Sequence, residues 1–108
     1  MSLANKRLVG PIQLSNAAAT VYTTPAGTQT TVKHLQVANT TATAVTFTLS
    51  IGVDAAATEL YSAFTVAANS VLSIFVLFYL AAAEVLQAKA GAATSLTLTI
   101  DGSEFTVP

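Results

Sequence analysis

His34 is the one side chain in this sequence that could take up and return a proton near neutral pH. Nucleophilic catalysis of the Ser-His-acid kind needs such a group between a hydroxyl and a carboxylate. The chain is rich in hydroxyls, but it has no G-x-S-x-G elbow. His34 also stands beside Lys33 in an alternating segment that aims it away from the core, so a surface or interface histidine is expected. The acids Asp54, Glu59, Glu84, Asp101 and Glu104 are scattered, with no D-x-D or H-x-H pattern. A metal centre needs several ligands converging. Asp54 with Glu59 comes nearest to a calcium pair, and the plainer reading puts both on solvated turns. Paired-carboxylate glycosidase chemistry needs two acids across a cleft, for which 108 residues leave little room. There is no G-x-x-x-x-G-K-[ST] phosphate loop, and Asn39-Thr40-Thr41, although it has the form of a glycosylation acceptor, reads as a turn. The expectation is no enzyme, no catalytic residue, no cofactor, no metal and no small-molecule substrate.

Charge excludes another class. Lys6, Arg7, Lys33 and Lys89 are the only Lys and Arg residues, charged residues make up 8%, and the net charge is −1. Neutralising phosphates takes clustered bases, so no nucleic-acid partner is expected. With no cysteine, neither a disulfide nor a thiolate metal site can form. "MSLANKRLVGP" lacks the apolar run of a signal peptide, which points to folding in a cytoplasm. Residues 60–83 carry no charge and could span a bilayer by length. However, "AANS" interrupts them and no Lys or Arg flanks them closely, so a buried strand is the reading and no membrane is expected.

The elements that must position these residues are strands. In "AVTFTLSIGV" (44–53), Val45, Phe47, Leu49, Ile51 and Val53 share one face, while Thr46, Thr48 and Ser50 share the other. Period two with β-branched residues marks a half-buried strand. "TSLTLTIDG" repeats it with Leu96, Leu98 and Ile100 inward, and "HLQVAN" puts Leu35 and Val37 inside with His34 and Gln36 outside. Turn signals fall at Pro25-Ala26-Gly27, 39–43, 53–58, 67–70 and Asp101-Gly102. Strands are expected near 7–14, 20–24, 30–39, 44–53, 59–66, 70–80, 84–90 and 94–100, with a short last one at 103–107. One domain is expected: an N-terminal arm or edge strand over 1–12, where Pro11 demands an edge or a bulge, and a sandwich domain over 13–108. "YLAAAEVLQAKAG" (79–91) has helical composition with Gly91 placed like a C-cap. Its β neighbours favour strand–turn–strand, and both readings stay open at this point.

"SVLSIFVLFYL" (70–80) is the most informative stretch. As a strand it puts Leu72, Ile74, Val76, Phe78 and Leu80 on one face and Val71, Ser73, Phe75, Leu77 and Tyr79 on the other. Both faces are largely apolar, whereas an antiparallel sandwich strand normally shows one wet face. Phe75, Leu77 and Tyr79 are therefore expected at a protein interface, against a neighbouring subunit or another protein. The alternative cover is a loop or the N-terminal arm of the same chain.

"VYTTPAGTQTTVKHLQVANTTATAVTFTLSI" resembles a pattern in small tailed-bacteriophage virion structural proteins. It is carried here by Tyr22, Thr23, Pro25, Ala26, Gly27, Val32, Lys33, Leu35, Val37, Asn39 and Thr40. "FTVAANSVLSI" and "LQAKAGAATSLTLTIDG" extend the resemblance over about residues 20–102, and "FVLFYLAAAEV" departs from it through its greater apolarity. The resemblance implies an all-β, antiparallel β-sandwich of jelly-roll type with about eight strands, and a non-enzymatic structural part of a virion. Capsid decoration is the leading expectation. A tail, baseplate or fibre component, with binding of carbohydrate or a receptor as one role for it, is the alternative. Partners would be copies of the same chain, the major capsid protein, or both. Lys6 and Arg7, on the arm, join Phe75, Leu77 and Tyr79 as expected interface residues.

Overall fold

The structure, a computed structural model, describes residues 2–55 and 57–106. Eight strands follow in order: β1 (Ser2–Gln13), β2 (Ala19–Thr23), β3 (Thr28–Asn39), β4 (Val45–Ile51), β5 (Glu59–Val66), β6 (Ser70–Leu80), β7 (Val85–Ala90) and β8 (Leu96–Thr106). They form two four-stranded antiparallel sheets, β1-β8-β3-β6 and β2-β7-β4-β5. This interleaved order is that of a jelly roll, an all-β sandwich built of two Greek keys. The inward residues of both sheets share one core. Leu35, Val37, Leu98 and Ile100 of the first sheet and Phe47, Leu49 and Leu86 of the second are wholly buried.

The helical composition of 79–91 yields to burial. β6 runs to Leu80, and β7 starts at Val85. Between them the Glu84 amide donates to the Ala81 carbonyl (3.1 Å), and the Ala81 amide donates to Glu84 Oε1 (2.7 Å). Leu86, Ala88 and Ala90 then point inward at period two, all nearly without exposure. A helix would keep Leu86 and Ala90 on one face and turn Ala88 to the other, whereas the strand buries all three.

β3 contains the main irregularity. Its register slips between Val32 and His34 against both β6 and β8. Val32 and Leu35 are fully buried although three apart, which strict alternation forbids. The slip lets Lys33 and His34 both leave the core before Leu35 returns to it. Gly102 makes it possible, because a Cβ there would overlap the Thr31 carbonyl oxygen. The turn expected at Asp101-Gly102 is accordingly absent. The missing side chain serves a close strand approach, and the two expected closing strands are one continuous β8. Pro11 sits on β1, at the edge of its sheet, where the register with β8 shifts between Val9 and Ile12.

Two turns behave as their residues dictate. The Thr28 amide donates to the Pro25 carbonyl (3.2 Å) around Gly27, whose φ is +66°. Asn39, 2% exposed, donates its amide to the Thr43 and Val66 carbonyls (2.9 and 3.1 Å). It accepts from the Thr41 amide and hydroxyl (3.0 and 2.7 Å). One side chain thus shapes the β3–β4 turn and ties the first sheet to β5 of the second.

Gly102→Ala is expected to lower unfolding stability by about 1–3 kcal/mol through enforced separation of β3 and β8. Urea unfolding measures it, and a variant as stable as the parent would show that the strands part there at no cost.

Candidate interaction surface

The outer face of the β1-β8-β3-β6 sheet carries most of the residues singled out above. The pairing aligns Arg7 with Asp101, Asp101 with His34, and His34 with Phe75. A row therefore crosses all four strands, from charged at the β1 edge to apolar at the β6 edge. The His34 ring lies 4.8 Å from that of Phe75. Its Nδ1 is 3.5 Å from Asp101 Oδ2 and its Nε2 2.7 Å from Ser73 Oγ. With the proton on Nδ1 directed at the carboxylate, Nε2 accepts from the serine hydroxyl. Strand pairing thus gathers a serine, a histidine and an acid that look isolated in the sequence. No local signal in the sequence announces the meeting, because strand order creates it: β3 lies between β6 and β8 and brings its histidine to both.

The order is that of a nucleophile, base and acid. Ser73 projects from the middle of a strand on an open face. Acyl transfer also needs preorganised donors for an oxyanion, and β6, an edge strand, turns one row of its backbone amides into the ladder with β3 and the other row outward. A pocket lies elsewhere, at the end lined by Thr41, Val45, Ala92 and Ser95. What the trio does is fix the imidazole plane beside Phe75.

The two faces of β6 are as expected from its alternation. Phe75 is 87% exposed, Leu77 67%, Tyr79 59% and Val71 54%. No described loop covers them, and the N-terminal segment is β1, at the far edge of the same sheet. The inward residues Leu72, Ile74, Val76 and Phe78 touch the core but are only half-buried. Leu60 and Phe64 on β5, at the same side of the sandwich, are also exposed. This flank is open inside as well as outside.

Lys6 and Arg7 separate, as neighbours on a strand must. Arg7 stays exposed on the outer face. Lys6 Nζ lies 3.2 Å from Glu104 Oε1, within a network that joins the sheets at one end. There the Tyr22 hydroxyl donates to Glu104 Oε2 (2.5 Å) and lies 2.8 Å from Thr30 Oγ1. Burial, then the hydrogen bond to Glu104, pushes the Tyr22 phenol up to about 12. The bond from Tyr22, helped by Lys6, holds the Glu104 carboxyl below its usual range. Elsewhere Lys89 Nζ lies 2.9 Å from Asp54 Oδ2 and holds that carboxyl low. The acid considered for a calcium pair thus has a lysine for its counter-ion. Among the described residues no three His, Asp or Glu side chains cluster as metal ligands would, and no helix is long and apolar enough to cross a membrane.

Glu104 is depressed in the folded state, so its stabilisation is present above its unfolded value of 4.5 and is lost as pH falls through the folded value. Tyr22 is raised, so its share is present below 10.0 and is lost as pH rises through about 12. Tyr22→Phe is expected to cost about 1–2 kcal/mol at neutral pH. It should also flatten both the acid and the alkaline limbs of stability against pH, measured by urea unfolding. Unchanged limbs would show that the network does not couple to folding.

No protein-family model and no curated protein matches the chain. Among solved structures, one is a Bacillus endospore appendage protein, described as belonging to a family of disulfide-linked pili. It is similar over 99% of this chain and 90% of its own, with a TM-score of 0.56 and 13% identity. A chain of the infectious bursal disease virus Gx strain is similar over 95% of this chain, with a TM-score of 0.52 and 10% identity. This chain spans 31% of that one. At such identities the likeness is one of fold, and the fold is the eight-stranded antiparallel sandwich described above.

Proposed function

We propose that this chain is a non-enzymatic structural subunit of a phage particle, most specifically a capsid decoration protein that works by adhesive contact. The observation that carries the reading is the exposed stripe of Phe75, Leu77 and Tyr79 on β6. Burying such side chains yields about 1.5–3 kcal/mol each, so a cluster left in water marks a partner surface. The row of Arg7, Asp101 and His34 beside it supplies a polar rim, as protein interfaces usually have. The resemblance to tailed-phage virion proteins supports the particle, and the similar viral and pilus folds fit a subunit that assembles. The pilus protein is described as disulfide-linked. This chain has no cysteine, so its joints would be non-covalent. A carbohydrate-binding fibre module fits less well. Tyr22 and Tyr61 are half-buried, and Tyr79 lies among aliphatic residues rather than in a groove.

The test is sedimentation with purified phage shells. The chain is expected to pellet with them, and the double substitution Leu77→Ser, Tyr79→Ser should weaken binding at least ~100-fold without shifting the unfolding midpoint. A chain that never pellets with shells, or a double variant that binds as well as the parent, removes the decoration role.

A further inference from the structure

We infer that two copies of this chain join edge to edge through β6, antiparallel, about a two-fold axis at Phe75, to form one continuous eight-stranded outer sheet. The inference rests on the adhesive reading above and names its partner. Three unmet demands coincide on this flank. Among the described residues β6 pairs only with β3, so its other row of backbone amides and carbonyls has no described strand beside it. Its outward side chains are exposed, and its inward ones are half-buried. A partner lying flat on the outer face would answer only the second demand. A strand added at the edge answers all three, because it completes the ladder and walls the open side of the core.

The other edges are protected in ways this one is not. β1 carries Lys6, Arg7 and Pro11 and shifts register twice. β2 has five residues and one shift. β5 begins at Glu59, shifts twice, and holds Ala63 at a φ of 48°. β6 has eleven residues, no charge and no proline, and its own alternation is unbroken although its register with β3 slips.

The occupant follows from self-complementarity, which a two-fold interface requires. Phe75 is the midpoint of Ser70–Leu80, so pairing about it matches every residue of the strand. Outside, Phe75 faces the partner's Phe75, Val71 the partner's Tyr79, and Ser73 the partner's Leu77. Inside, Leu72 faces the partner's Phe78 and Ile74 the partner's Val76. No charge is opposed or desolvated at any position, and aromatic and branched cross-strand pairs are the favourable ones.

Position 75 alone opposes itself on the outer face, which makes the register testable. Phe75→Lys and Phe75→Glu should both fold, since the side chain is 87% exposed, and circular dichroism checks this. Analytical ultracentrifugation should show the parent as a dimer. Each variant alone should dissociate at least ~100-fold more readily through like charges in opposition, and a mixture of the two should recover the dimer. Phe75→Cys, in a chain otherwise without cysteine, should cross-link to itself under mild oxidation much faster than Val53→Cys, which is also exposed but lies in the β4–β5 loop outside β6. The inference is overturned by a parent that stays monomeric through the millimolar range, by rings or filaments from unlike edges, or by lysine and glutamate variants that do not rescue each other. Equal cross-linking of the two cysteine variants overturns it too. A monomer that still pellets with shells sinks the edge pairing and keeps the decoration reading; a dimer that ignores shells does the reverse.

Discussion

The one-residue slip in β3 between Val32 and His34 is the constraint on which the rest of the architecture depends. Without it, the strand could not bury both Val32 and Leu35, and His34 would enter the core. With it, the same strand fills the interior and delivers Lys33 and His34 to the outer face. The slip needs backbone to approach backbone, and Gly102 on β8 permits that approach. The alignment of Arg7, Asp101, His34 and Phe75 follows from the registers on either side. A packing requirement at one point in the core thus dictates the chemistry of the surface above it.

Period two made most of the sandwich legible from residues alone. Val45, Phe47 and Leu49, then Leu96, Leu98 and Ile100, repeat with little interruption; burial follows that repeat in β8, whereas in β4 Thr48 and Ser50 on the other face are buried as well. Both faces of β6 could be assigned because its side chains alternate from Ser70 to Leu80. What the residues concealed was non-local. Asp101-Gly102 has the composition of a turn, and only the neighbouring Thr31 carbonyl reveals why glycine is there. Lys6 and Arg7 look like one basic pair, but pleating sends them to opposite sides, and Lys6 meets a carboxylate 98 positions away. Ser73 and Asp101 carry no local signal of their meeting at His34, because strand order creates it. Local propensity favoured a helix at 79–91 only until Leu86, Ala88 and Ala90 had a core to enter.

The two ends of the sandwich solve the same problem by different means. At one end Asn39 binds the sheets through a neutral amide with all its hydrogen-bonding groups satisfied. At the other, Tyr22, Thr30, Glu104 and Lys6 do it with charge. The neutral tie is indifferent to pH, and the charged one is not. Among the described residues the lateral flanks have no such ties. The flank at β1 is shielded by bases, a proline and irregular register, whereas the β6 flank is left apolar.

The burial of Asn39 also bears on biosynthesis. Both hydrogens of its side-chain nitrogen are committed to carbonyls, one of them in the opposite layer. In the folded chain that nitrogen offers an oligosaccharyltransferase no point of attack, even though Asn-Thr-Thr spells its recognition sequence. A eukaryotic secretory host could attach sugar there only during translocation, before the layers close. A glycan so attached would take the place of one of these two bonds.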